Sequence, residues 1–250
     1  MQSPALFKTL RRMLSPLRVQ TRARPSNTFS IARRDQVTLY RDCKAQMWHE
    51  EEGPVVLQFL AALNRAAVDA TRYFSVHAAV LGKGRRVVAV AGDSGSGKST
   101  LAAALAIRGW RYGSDESLSF DDDGDVVPYA KPVTLNPWSW KELNLKPGDD
   151  FVSQVEAPFG IDELQGSPLE NGMKLTDLVI PHITAGPPAI EALSPSEAVK
   201  TLLQLSFNHY RDGTQAFQVS TRVAATAQAW RLQMGSPLAT AAFLDDVLAG

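Results

Sequence analysis

The chain has 250 residues, enough for one large domain or a main domain with a small appendage, and its 44% apolar and 21% charged content is that of an ordinary globular protein. Lys and Arg total 26 and Asp and Glu total 26, so a formal net charge of zero removes any global case for nucleic acid or an acidic partner. The single cysteine, Cys43, excludes an internal disulfide and fits a reducing, cytoplasmic compartment, and no apolar run reaches the length of a membrane span.

From Met1 to Arg34 there are eight basic residues (Lys8, Arg11, Arg12, Arg18, Arg22, Arg24, Arg33, Arg34) and no acid. Residues 1–27 read as a basic, disordered and solvated tail, with a transit peptide or a surface-binding arm as the alternatives. No continuous apolar segment follows the charges, so a secretory leader is not expected. Residues 28–250 read as one domain. Thr28 to Tyr40 has mixed strand character, and Gly53-Pro54 is a break, with Pro54 suited to a first helical turn. Val56, Leu57, Leu60, Leu63 and Ala67 recur at helical spacing and predict a helix over Val55–Ala70.

Tyr73–Leu81 predicts a strand, Gly82-Lys83-Gly84 a hairpin turn, and Arg86–Ala91 the returning strand. A helix opens near Lys98 and runs through Leu101–Ala106 to a C-cap at Gly109. Trp110–Ser114 reads as a short strand before Asp115-Glu116. Leu118 and Phe120 then lead through the acidic turn Asp121-Asp122-Asp123-Gly124 into Val126 and Val127. Prolines at 128, 132, 137, 147 and 158 favour loops and edge strands, and Pro147–Gly172 reads as a surface lid or substrate contact. Leu178–Ile183 predicts a strand. Ser194-Pro195-Ser196-Glu197 is a helix start with a capping box, for a helix reaching about Phe207, and a last helix spans Thr214 to roughly Ala229.

One stretch carries chemistry on its face. The apolar strand around Val87, Val88 and Val90 runs directly into Gly92-Asp93-Ser94-Gly95-Ser96-Gly97-Lys98-Ser99-Thr100, the strand–GxxxxGK[ST]–helix pattern of a phosphate-binding loop. A polyphosphate concentrates negative charge, and only a loop with few side chains can turn many N–H groups onto it. The helix that follows adds unsatisfied N–H groups and a partial positive charge. Lys98 is expected on the β- and γ-phosphates of ATP and the Ser99 hydroxyl on Mg²⁺, with Thr100 beside them. Gly92 to Thr100 are the nucleotide-binding candidates.

The surroundings narrow the class. Ser75-Val76-His77-Ala78-Ala79 lies upstream, Arg108-Gly109-Trp110-Arg111 closes the helix, and Asp115-Glu116 begins seventeen residues after Lys98. An xxHA strand, a GDSGxGKS loop, an RGxR helix end and an acidic pair at this spacing resemble the bacterial HPr kinase/phosphorylase family, and more closely the shorter HPr-kinase-related serine kinases. The resemblance covers Phe74 to Asp121, is weaker from Pro132 onward and is absent from the first thirty residues. It implies an α/β fold with a mixed sheet, like that of phosphoenolpyruvate carboxykinase and the C-terminal domain of HPr kinase, rather than the parallel sheet of Ras-like proteins.

The resemblance also implies roles. Asp115 matches the general base that takes the proton of an incoming serine hydroxyl. Glu116 matches a second acid, usually Asp, which ligates Mg²⁺ or orients the histidine. His77 matches the histidine that tunes the acids, and Lys98 with the metal balances charge on the transferring phosphoryl. A glycine-rich signature of full HPr kinases is not found, so HPr as the substrate does not follow. No arginine after position 140 matches a catalytic one; Arg211 is a candidate only by position, against a solvated helix end. The activity implied is ATP-dependent transfer to a serine of a small protein or peptide. A nucleotide-holding regulatory module and a small-molecule (amino-acid) kinase are the alternatives, and homo-oligomerisation stays open. The lack of LSGGQ-like and NKxD-like segments argues against ABC-type ATPases and GTPases.

Overall fold

In the computed structural model, which describes residues 4–19, 24–148, 155–184 and 186–248, a small N-terminal layer precedes the main sheet. It comprises α1 (Pro4–Met13), a 3-10 turn at Ser15–Leu17, the antiparallel strands β1 (Phe29–Arg33), β2 (Val37–Arg41) and β3 (Lys44–His49), and α2 (Glu52–Ala70). Asp42 and Cys43, both at positive φ, form the tight turn between β2 and β3, and Cys43 is exposed. Gly53, expected to break the chain, lies instead inside the first turn of α2 together with Pro54.

The basic N-terminus departs from the expected solvated tail. Leu6, Leu10 and Met13 recur every three to four residues, and this stripe is enough to form α1. Leu6 packs against Val56 and Leu60 of α2, Met13 is 2% exposed, and Arg12 donates to Asp162 at 2.9 Å. Residues 1–3 and 20–23 of that expectation lie outside the described residues.

The main sheet is built around two apolar strands in a hairpin, β4 (Phe74–Lys83) and β5 (Arg86–Ala91), paired antiparallel from Ala78↔Ala91 to Lys83↔Arg86. Along the chain follow α3 (Lys98–Ile107), β6 (Arg111–Ser114), β7 (Ser117–Phe120), β8 (Asp125–Val127), β9 (Val133–Leu135) and α4 (Pro137–Glu142). Then come β10 (Ala157–Phe159), β11 (Met173–Lys174), β12 (Asp177–Ile183), β13 (Ala189–Leu193), α5 (Pro195–Gln204), α6 (Gly213–Thr226), β14 (Gln228–Met234) and α7 (Pro237–Leu248). Among the described residues the strand order is β11-β8-β7-β4-β5-β12-β14-β13, with β6 also on β4. Strand β12 is parallel to both β5 and β14, while β4 is antiparallel to β5, so the sheet is mixed. This is the mixed α/β class expected.

Alternation along β4 and β5 explains why they read as unbroken apolar runs. Ala79, Leu81, Val88 and Val90 face one core, with α3 and α7; Val76, Ala78, Val80, Val87 and Ala89 face the other, with α5 and α6. A sheet covered on both faces needs apolar side chains at every position. Leu101 and Leu105 of α3 are fully buried, worth about 2 kcal/mol each. The alanines between them let α7 approach closely.

Two other expectations are corrected by tertiary contacts. The helix from Ser194 has its capping box but stops at Gln204, because the next residues pair with β4: His77 N donates to Leu205 O and Phe207 N to Ser75 O. The last predicted helix ends at Thr226, and residues from Gln228 join the sheet as β14. Of the expected lid, Ala157, Phe159, Ile161, Leu164 and Leu169 are buried and anchor the segment to the core, while Val155 and Glu170 stay on the surface and Glu156 lines a cleft. Leu169 N donates to Tyr112 O beside β6. Residues 149–154 lie outside the described residues.

Candidate active site

Strand β5 delivers the chain to the glycine-rich loop, and α3 begins where the loop ends. Gly95 and Gly97 have φ of +82° and +86°, in the left-handed region where any other residue is strained. Gly97 is the N-cap of α3, and no side chain caps this end. At Gly92 a Cβ would sit 2.8 Å from Ser96 Oγ, so the loop closes on itself there. A turn of this kind, joined to an uncapped helix N-terminus, offers main-chain N–H groups and the positive end of the helix dipole to an anion.

Lys98 is 5% exposed and bridges the loop, its Nζ donating to Gly92 O at 2.8 Å and Asp93 O at 2.7 Å. Burial lowers its pKa below the ordinary value, with Asp115, Asp93 and Glu116 opposing the shift. Ser99 lines the cleft beside it. The Thr100 hydroxyl is instead committed to a 2.7 Å bond with Ser139 Oγ, which seats α4 on the start of α3. Asn136 caps α4 by accepting from Ser139 N at 2.8 Å.

The acidic pair sits where β4 changes partner. Strand β7 pairs with β4 over Phe74–His77, with Ser117 opposite His77, and β6 pairs with it over Val80–Gly82, with Ser114 opposite Val80, so Asp115-Glu116 forms the step between them. Asp115 is 3% exposed. Its Oδ1 accepts from the Tyr112 hydroxyl at 2.8 Å and from Lys131 Nζ at 2.7 Å. Lys131 also lies 3.3 Å from Glu116 Oε2. Burial alone would lower the Lys131 pKa, but the two carboxylates outweigh it and hold the ammonium above its ordinary range. Burial, followed by Asp115, pushes the Tyr112 phenol well above its usual value. His77 packs its ring on Phe207 at 5.5 Å, and burial, then Lys98, lowers its pKa below 6.5. Both effects favour the neutral imidazole, with Glu116, Asp93 and Asp115 opposing them.

These side chains meet in one cleft of about 1270 Å³. Of the candidate residues, His77, Ser94, Gly95, Gly97, Lys98, Ser99, Thr100, Asp115 and Glu116 line it; Gly92, Asp93 and Ser96 complete the loop without lining it. Arg211 does not line the cleft itself; it donates to Thr71 O and pairs with Asp69 at the edge of the cleft. The far wall is the α2 face carrying Leu57, Ala61, Asn64 and Val68. Among the described residues no group of three or more His, Cys, Asp or Glu forms a metal cage. A magnesium ion that arrives on phosphate oxygens needs only one or two protein ligands, which a hydroxyl such as that of Ser99 satisfies.

Lys131, Tyr112 and the α2 wall are what the sequence did not disclose. The one signal was a lysine within the otherwise apolar Tyr129–Leu135, where a charged residue must find a partner. Compared with models of known protein families and with curated proteins, the chain matches none. No helix among the described residues is long and apolar enough to cross a membrane.

Proposed function

We propose that the chain is an ATP-dependent kinase that transfers the γ-phosphoryl group to a hydroxyl, a serine of a protein or peptide being the acceptor class. We place it with the HPr-kinase-related kinases that residues 74–121 resemble, on the corresponding carboxykinase-like fold, and in the cytoplasm. The observation that carries this reading is that Lys98 of the glycine-rich loop and Asp115, forced onto the step between two strands, line the same cleft. A nucleotide holder has no need of a buried carboxylate facing the loop; a kinase does.

In this reading the triphosphate lies on the amides of residues 92–99. Lys98 exchanges two loop carbonyls for β- and γ-phosphate oxygens. Mg²⁺ bound with the nucleotide would be held by the Ser99 hydroxyl and would supply positive charge against the phosphates. The acceptor hydroxyl gives its proton to Asp115 while its oxygen attacks the γ-phosphorus. The bond from that phosphorus to the β,γ-bridging oxygen breaks, and ADP leaves with its electron pair. The cleft exceeds the 300–1,000 Å³ of common small-molecule pockets, which supports a segment of a larger acceptor beside the nucleotide.

The test is incubation with γ-labelled ATP and the proteins encoded beside its gene, followed by mass mapping of the label. Label on a serine hydroxyl is expected. ATP that binds while no acceptor is labelled would leave a regulatory nucleotide holder as the better reading.

A further inference from the structure

Lys131 is a buried cation that neither the loop nor the acidic pair requires by sequence, yet it touches both carboxylates. Its side chain is 6% exposed, its Nζ is 2.7 Å from Asp115 Oδ1 and 3.3 Å from Glu116 Oε2, and it also reaches Pro132 O at 3.4 Å. Asp115 Oδ1 is thus saturated by Lys131 and the Tyr112 hydroxyl, which leaves Oδ2 as the oxygen able to take a proton. Glu116 differs from Asp115 in being half-exposed, with its side chain 42% accessible against 4%.

A proton arriving on Asp115 removes the main counter-charge of a buried ammonium. Such an ammonium left alone is costly, and the cost would oppose the step. Glu116 lies within reach of the same nitrogen. We propose that Lys131 is a positioning residue that fixes Asp115 with Oδ2 toward the acceptor, and that Glu116 is the reserve counter-ion for Lys131, not a ligand of Mg²⁺. The inference rests on the kinase reading above. In balanced form, the acceptor O–H proton moves to Asp115 Oδ2, the acceptor oxygen bonds to the γ-phosphorus, and ADP departs. Meanwhile the charge of Lys131 passes from a shared pair with Asp115 to a pair with Glu116. No further reactant is needed.

The same geometry explains why a glutamate can stand where the related kinases usually carry aspartate. The longer side chain reaches back to Lys131 through Oε2 from the more exposed position.

The test uses the full chain with MgATP, water or free serine as acceptor, and direct titration of MgATP binding. Lys131→Met removes the cation; Glu116→Gln, at the more exposed position, keeps the fold if Lys131→Met does not. Both variants are expected to bind MgATP within about twofold of wild type and to release or transfer phosphate roughly tenfold more slowly, a loss of about 1.4 kcal/mol in the barrier. The half-saturating Mg²⁺ concentration should be unchanged in Glu116→Gln. A Glu116→Gln variant whose rate is restored by excess Mg²⁺ would make Glu116 a metal ligand and overturn the inference. Wild-type rates in both variants would overturn it equally. A wild-type chain that binds MgATP and phosphorylates neither water, nor serine, nor any of the proteins encoded beside its gene would refute the transferase reading itself, and the inference with it.

Discussion

Gly95 and Gly84 make a matched pair that separates loop geometry from ordinary stability. Both have positive φ, +82° and +57°, and in both a Cβ would meet nothing within 4 Å. Alanine therefore brings backbone strain alone, about 1–2 kcal/mol. Gly84 turns the β4–β5 hairpin, whose ladder fixes Lys83 opposite Arg86 right at the turn. The strain cannot relax there, so Gly84→Ala should lower the melting temperature by about 2–8 °C, at about 2–4 °C per kcal/mol for a chain of this size. Its MgATP affinity should not change. Gly95 lies at the open tip of the glycine-rich loop, tied by few bonds, and can relax when no ligand is present. Gly95→Ala should melt close to wild type, and the nucleotide must then restore the left-handed geometry at the same 1–2 kcal/mol. MgATP affinity should fall by about 5- to 30-fold. Thermal melts and calorimetric titration read both quantities on the same samples. A Gly95→Ala protein that binds MgATP as tightly as wild type would refute the claim that this loop conformation holds the phosphates.

Lys98→Ala should weaken MgATP binding and abolish phosphoryl transfer, measured by titration and by release of labelled phosphate. Thr100→Val breaks the buried bond to Ser139 and should cost about 1 kcal/mol in denaturant unfolding, with α4 loosened from α3. Leu6→Ala should destabilise the fold by about 2 kcal/mol through its packing on α2, whereas a free tail would show no change. His77 has a folded-state pKa below its unfolded 6.5, so the unfolded chain binds the proton first. Its contribution to stability should be complete above pH 6.5 and shrink as pH falls through the lower folded-state value. His77→Gln should flatten that part of the stability profile in urea titrations at successive pH values.

Residues whose neighbours along the chain settle their conformation were legible in the sequence. The hairpin around Gly84, the strand Arg86–Ala91, the loop into α3 and the capping box at Ser194 all follow from local dihedral demands and periodicity. Strand β14 was missed because its first residues, Gln228 and Ala229, follow directly on the alanine-rich stretch ending at Ala227, and only the slot beside β12 makes the segment a strand. The charge of the first 34 residues masked the Leu6, Leu10, Met13 stripe, because burial against α2 outweighs solvation of arginines on the opposite face. Within the site, the loop and the acidic pair stood out by spacing. Lys131 did not, since its meaning lies in two carboxylates brought to it by the break between β6 and β7.

The measurement closest to the centre of the account is phosphoryl transfer by Asp115→Asn with MgATP binding titrated in parallel. The account predicts unchanged affinity with transfer slowed at least about a hundredfold, the scale of a lost general base. Transfer at the wild-type rate would contradict it and remove Asp115 from the reaction.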